Sequence, residues 1–319
     1  MVQDPEDSPY HVAVAVGSAD EADALIRVGC DIAAARGGRL SILTVTATGQ
    51  RPEWLSIPEG CSGGQASTTV LSGRDRGTAI LRAIRDQPPD LLLMGWRGRQ
   101  GQGRYMLSKT LDHVFGQALC NIAVIRLGSD GSLPPGNLGQ SSRILVPVGG
   151  GPNAGLALAL ALTVAPGADV TVMSVARPAV GELGLSLSRE TLAKELAACP
   201  GQARVESRIV EARTIVQGIL DQAREGYDWV LLGASDESYL DRVLFGNVPQ
   251  TVAASSPVPV MVVRRREGQM DVWLRRIGWR VAHLLPSLDR EQQIEVYKSI
   301  RSSARPSVDF YIMIALAAA

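Results

Sequence analysis

One stretch of the chain is written twice. Asp228 to Arg264 reads Asp-Trp-Val-Leu-Leu-Gly-Ala-Ser-Asp, a turn, Phe-Gly-Asn-Val-Pro-Gln, and then Pro-Val-Pro-Val-Met-Val-Val-Arg. The pattern is that of a buried strand, a glycine-containing loop, a helix opening on Gly246-Asn247 and a second buried strand. An earlier copy runs from Asp90 to Arg126, where Asp-Leu-Leu-Leu-Met-Gly95 leads through Leu111-Asp112-His113-Val114 into Asn-Ile-Ala-Val-Ile-Arg. A chain that repeats itself in this way is built on a duplication, and each copy supplies the same unit of structure.

The segments ahead of each copy repeat as well. His11 to Val16 is an apolar run stopped by Gly17-Ser18, followed by an alanine-rich helix to Arg36 and a strand from Arg39 to Val45. Residues 46–64 read only as loop, Gln65 to Leu71 as a strand and Asp75 to Arg85 as an amphipathic helix. In the second copy Arg143 to Val148 opens a strand, with helices over 152–165, 188–198 and 214–224 and strands over 169–175 and 203–210. Short strands with no polar face demand a parallel sheet covered on both sides, and right-handed crossovers make each unit an open sandwich. The expected fold class is α/β: two tandem, doubly wound, five-stranded parallel sandwiches over 9–128 and 143–265, a linker over 129–142, and a helical tail. Ligands of such sheets bind beyond the carboxyl ends of the strands, which singles out the loops after Val16, Val45, Met94, Val148, Val175 and Leu232.

Composition narrows the function. Lys plus Arg equals Asp plus Glu at 32 each, so the basic surplus of a phosphate-neutralising nucleic-acid binder is missing, and no nucleic-acid partner is expected. Cys30, Cys61, Cys120 and Cys199 are scattered, without a Cys-x-x-Cys pair, and read as reduced, mostly buried thiols. Met1 to Tyr10 is acidic and polar where a secretory leader would be apolar.

The two units, each ending in a strand, a Gly-x-x-Gly-like loop, a helix and an apolar strand with Ala-Val or Pro-Val, resemble the universal stress protein family. In its nucleotide-binding branch the family implies an ATP site made by an Asp closing the first strand and a Gly-x2-Gly-x9-Gly-Ser/Thr loop. Glycines let backbone approach phosphate, and the helix N-terminus offers free N–H groups. The matching positions in the first unit are Gly95, Gly98, Ser108 and Lys109; those in the second are Gly233, Asp236, Gly246 and Asn247. Gly17 and Gly149 stand where the first-strand Asp belongs, and Val45 and Val175 close the second strands. These positions are the candidate cofactor-binding residues, and the cofactor the resemblance implies is ATP or AMP. The motif is degraded in both units, with Asp236 replacing a glycine, and Asn247 with Gln250 also makes a helix cap that needs no ligand.

Gly103 to Thr110 is one residue from a Walker A loop, but the strand before it ends near Met94, too early for a P-loop. Gly149-Gly150-Gly151-Pro-Asn-Ala-Gly155, with Arg177 further on, has the look of a dinucleotide turn that the first unit lacks. His11, His113 and His283 sit in a strand start and two helical stretches and read as packing or capping residues. With no Gly-x-Ser-x-Gly and no His-Glu-x-x-His, no catalytic residue, no metal ligand and no enzyme is expected.

After Val263 basic residues outnumber acidic ones up to Arg305, and Trp273, Ile277, Val281 and Leu284 form one apolar helical stripe. From Val308 the chain turns apolar and stops about half way to the roughly 20 residues of a membrane-spanning helix. This reads as a basic juxtamembrane segment over 266–307 and a truncated first span over 308–319, with the globular part on the cytoplasmic face of the cell membrane. Leu284 to Asp289 and the run Ala304-Arg-Pro-Ser-Val-Asp-Phe-Tyr311 resemble the entry to the membrane region of the family named domain of unknown function 389. That resemblance implies a multi-pass membrane protein of unsettled function, with a transporter as one of the roles it suggests. Three functions are open: a cytoplasmic stress-sensing module reporting to a missing membrane domain, a ligand-free assembly module pairing within or between chains, and a slow ATP hydrolase.

Overall fold

The computed structural model describes residues 9–59, 61, 66–96, 108–127, 138–141, 143–150, 152–197, 204–235 and 247–266. Residues 1–265 make one compact unit and 266–319 a second, of which only Arg266 is among the described residues. The basic segment and the truncated span expected from the sequence therefore lie outside them. No helix among the described residues is long and apolar enough to cross a membrane.

The first repeat comprises β1 (His11–Val16), α1 (Ala19–Ala35), β2 (Arg39–Thr46), β3 (Ala66–Ser72), α2 (Arg76–Asp86), β4 (Leu91–Gly95), α3 (Lys109–Gln117) and β5 (Asn121–Arg126). The second comprises β6 (Arg143–Pro147), α4 (Pro152–Val164), β7 (Asp169–Ala176), α5 (Gly181–Ala197), β8 (Val205–Glu211), α6 (Ile215–Ala223), β9 (Trp229–Gly233), α7 (Asn247–Ser255) and β10 (Val260–Arg264). The α/β class read from the sequence is the observed one. Each repeat is a five-stranded parallel sheet, ordered β3-β2-β1-β4-β5 and β8-β7-β6-β9-β10. The two join edge to edge through antiparallel β5 and β10, making a single ten-stranded sheet.

The aspartate that opens each written copy has a structural task. Asp90 accepts from the backbone N–H of His11 through Oδ2 at 2.7 Å, and its own N–H returns a bond to the His11 carbonyl at 2.8 Å. Asp228 does the same to Arg143, at 3.0 Å and 2.9 Å. Both carboxylates thus pin the start of the first strand to the start of the fourth, which sets the register of the two central strands.

At the seam Val124 stands opposite Val262, and each last strand ends in an arginine that crosses to the other repeat. Arg126 Nη1 donates to the Ser256 carbonyl at 2.8 Å and Arg264 Nη2 to the Ala118 carbonyl at 2.9 Å. Those carbonyls close α7 and α3, so each repeat satisfies a helix C-terminus of its neighbour. Arg264 is buried and its guanidinium lies 4.6 Å from the centre of the Phe115 ring.

The sheet carries a core on each face. One joins α1, α4 and α5 to β1, β6 and their neighbours, centred on Leu25, Ile26, Leu158 and Trp229. The other joins α2, α3, α6 and α7, centred on Phe115, Val114, Ile219 and Val252. Strands β1, β4 and β5 are almost wholly buried, as runs with no polar side must be.

Three expectations are corrected or completed. Cys30 and Cys61 are joined in a disulfide, with Cα atoms 5.6 Å apart, and so are not free thiols; Cys120 is free and buried. The fold brings together two cysteines that are 31 residues apart and share no local motif. Helix α5 begins at Gly181, well ahead of Ser188; its first two turns are mostly exposed, with Leu183 and Leu187 open to solvent, and its buried face starts at Ser188. In the first repeat the crossover from β2 to β3 contains no helix among its described residues; instead Leu55 is sunk into the core under the loop.

Candidate functional site

The first repeat holds a cavity of about 210 Å³ at the carboxyl ends of its central strands, where the order reverses between β1 and β4. Four of the candidate residues meet there: Gly17 beyond β1, Val45 near the end of β2, Gly95 closing β4, and Ser108 before α3. Ala15, Leu43, Ile80 and Met94 give it an apolar wall, and Arg76, first residue of α2, brings a guanidinium to it. Ser108 caps α3, its Oγ accepting from Leu111 N–H at 3.1 Å, so the helix N-terminus and its unsatisfied donors face the same space. Lys109 is the first residue of α3 and exposed, but it does not line the cavity. Gly98 lies outside the described residues.

Glu21 is the residue the sequence reading missed. It stands in the first turn of α1, four residues after Gly17, and its Oε1 accepts from Gly17 N–H at 3.3 Å. A Cβ on Gly95 would lie 2.6 Å from Glu21 Oε2 and 2.9 Å from Leu25 Cδ1. The glycine therefore makes room for a carboxylate that comes down over the ends of β1 and β4. An acid is absent from the last position of the first strand but is supplied one helical turn later. The usable signal was an Asp-Glu pair opening the helix directly after the strand-end glycine.

The second repeat departs from this arrangement. Asn153 follows Gly149 by four residues, as Glu21 follows Gly17, and it is buried. Its Nδ2 donates to the Ala234 carbonyl at 2.8 Å, and its Oδ1 accepts from the Arg265 N–H at 2.8 Å. A Cβ on Gly233 would strike the Asn153 carbonyl carbon at 2.6 Å and the Ala154 nitrogen at 2.7 Å. The opening of α4 is thus laid directly on the end of β9. Gly149 is exposed, Gly150 takes φ +88°, and Val175 is half-buried one residue before the end of β7. Asn247 heads α7, with its side chain outside the described residues, and so do Asp236 and Gly246 lie outside them. Gly150, at positive φ, therefore serves the turn between β6 and α4.

Of the histidines, His11 is buried in β1, with Nε2 2.8 Å from Ser41 Oγ and Nδ1 3.3 Å from Arg39 Nη2. His113 lies on α3 with Nδ1 3.8 Å from an Asp75 carboxylate oxygen, and His283 lies outside the described residues. Among the described residues no group of His, Cys, Asp and Glu is placed to hold a metal ion.

Comparison with known proteins agrees with this fold. The solved universal stress protein from Archaeoglobus fulgidus DSM 4304 matches with a TM-score of 0.52 at 17% identity, over 80% of this chain and 97% of that one. A functionally unknown protein from Pseudomonas aeruginosa PAO1 matches with a TM-score of 0.56 at 12% identity, over 91% and 96%. The cytoplasmic domain of a prokaryotic cation chloride cotransporter matches with a TM-score of 0.54 at 12% identity, over 83% and 99%. At such identities these likenesses speak to the fold. Among curated proteins none matches this sequence. The sequence model described as the universal stress protein family matches residues 62–126 and 141–264, which is more than half of the chain and spans both repeats, and the chain belongs to that family.

Proposed function

We propose that the chain is the cytoplasmic regulatory module of a multi-pass membrane protein, and that its first repeat binds an adenine nucleotide while its second has given up that role. The observation that carries this is the cavity over Gly17, Val45, Gly95 and Ser108, with a carboxylate on one side and a guanidinium and helix N-terminus on the other. Glu21 would accept from sugar hydroxyls, and Arg76 with the α3 N-terminus would face phosphate. In the second repeat Asn153 and the start of α4 lie against Gly233 instead.

Attachment to a membrane is supported by the basic and then apolar sequence after Val263 and by the resemblance of its last part to domain of unknown function 389. It is also in keeping with the match to the cytoplasmic domain of a cotransporter. We read the module as binding rather than catalytic.

Heat-released supernatant from the purified chain, separated by chromatography, tests the reading. AMP or ATP in it, lost in Gly98→Asp and kept in Gly246→Asp, is the expected result. No released nucleotide and no heat on titration with AMP would leave an assembly module, and ADP accumulating with turnover would make the chain a hydrolase.

A further inference from the structure

The two repeats cover one face of their sheets by different means. In the second, α5 crosses between β7 and β8, and its Leu192 is buried in the same core as Leu162 of α4. In the first, the described residues between β2 and β3 form a loop, held by Leu55 in that core and by Arg51, whose Nε and Nη2 donate to the Leu55 carbonyl at 3.2 Å and 2.9 Å. Cys30 follows Gly17 by thirteen residues, as Leu162 follows Gly149. Where one repeat seats side chains of two helices in a shared core, the other has a covalent bond from its helix to a loop.

Both sulfurs belong to residues that are only half-buried, so a small thiol reagent has access to them. If the module is cytoplasmic, as proposed above, its surroundings hold dithiols that keep most thiols reduced, and a disulfide there is more often sensing than structural.

We infer that Cys30 and Cys61 are a redox-active pair whose oxidised form locks the β2–β3 loop onto α1 and whose reduced form releases it. The reductant is a dithiol. One of its thiolates attacks one sulfur of the pair, breaking the Cys30–Cys61 bond and forming a mixed disulfide. Its second thiolate then displaces the cysteine, so that the reductant leaves as a disulfide and Cys30 and Cys61 each take up a proton. Two electrons and two protons pass to the protein. The released loop follows Thr46 directly, and Val45 beside it lines the first cavity, so the switch acts next to that wall.

The test uses the full chain, with free thiols alkylated at lysis. Mass spectrometry after digestion is expected to find a Cys30–Cys61 linked peptide that dithiothreitol converts to two alkylatable thiols without denaturant. Hydrogen exchange is expected to quicken over residues 47–59 and around Cys30 on reduction, while β9 and β10 are unchanged. The Tm should fall by roughly 5–10 °C. Cys61→Ser should show the reduced pattern with or without dithiothreitol; should that variant not fold, the natural chain with and without reductant still decides. Absence of the linked peptide, a bond that resists the dithiol in the folded chain, or reduction that alters neither exchange nor Tm would each overturn the inference. None of these readouts depends on nucleotide binding, so the two readings fail separately.

Discussion

Glu21 and Asn153 occupy the same station in the two repeats, each four residues past the glycine that ends the first strand and each against the glycine that ends the fourth. One is an acid beside a cavity; the other is an amide that ties Ala234 to Arg265. A single position thus carries an acid beside a strand-end cavity in one repeat and a structural amide in the other.

The two fourth-strand glycines should respond differently to a methyl group. In Gly233→Ala the new carbon meets backbone of α4, which cannot swing away, whereas in Gly95→Ala it meets side-chain ends of Glu21 and Leu25. Urea unfolding should show Gly233→Ala to be destabilised by about 2–3 kcal/mol, with a smaller loss in Gly95→Ala. Nucleotide titration should show the reverse ranking, because Gly95→Ala pushes the carboxylate out of place.

Asn153→Ala removes both bonds at once and leaves the Ala234 carbonyl and Arg265 N–H without that partner. A loss of about 1–3 kcal/mol is expected. Hydrogen exchange of the Arg265 amide should quicken beyond what the global loss explains; unchanged exchange there would mean that the amide does not anchor the chain.

Arg264→Ala should weaken the seam more than Arg126→Ala. Arg264 is buried, bonded to the Ala118 carbonyl and stacked on Phe115, whereas Arg126 is half-buried. About 2–4 kcal/mol is expected for the first by denaturant titration, and a double variant is expected to lose less than the sum if the two crossings act together.

Two buried groups give stability opposite dependences on pH. His11 is held below its ordinary value of 6.5 by burial and then by the Arg39 guanidinium. Because Arg39 donates to Nδ1, the Nε2 hydrogen goes to Ser41, and protonation would place two cations face to face. Its folded pKa is the lower one, so its contribution is complete above about pH 6.5 and is lost as pH falls through the folded value. Burial raises Glu195 above its ordinary 4.5, against a smaller opposing pull from Lys194. There the folded state holds its proton longer, so stability is highest below 4.5 and declines as pH rises through the raised value. Thermal melts across pH 4 to 8 should lose the first slope in His11→Gln and the second in Glu195→Gln.

Much of the fold was legible because the central strands are buried on both faces, and such strands have to be apolar throughout; Leu91 to Met94 and Trp229 to Leu232 allow little else. Of the four residues that converge on the first cavity, Gly17 and Gly95 were legible because glycines mark strand ends, and Val45 and Ser108 because one closes an apolar strand run and the other stands at a motif position before a helix. Glu21 and Asn153 were not, since a side chain four residues into a helix returns to the strand end only once the helix is laid on the sheet. The Cys30–Cys61 bond and the arginine crossings depend on long-range placement that no local pattern encodes. The start of α5 was misplaced because its first two turns, with Gly181, Gly184 and Ser186, are mostly exposed and carry no buried apolar stripe to reveal a helix.

The antiparallel seam has an evolutionary corollary. Two separate subunits meeting across a dyad must share every substitution, since one gene writes both. Fused into one chain along β5 and β10, the halves inherit mutations singly, yet they can never drift apart in solution. The same station can therefore carry Glu21 in one half and Asn153 in the other.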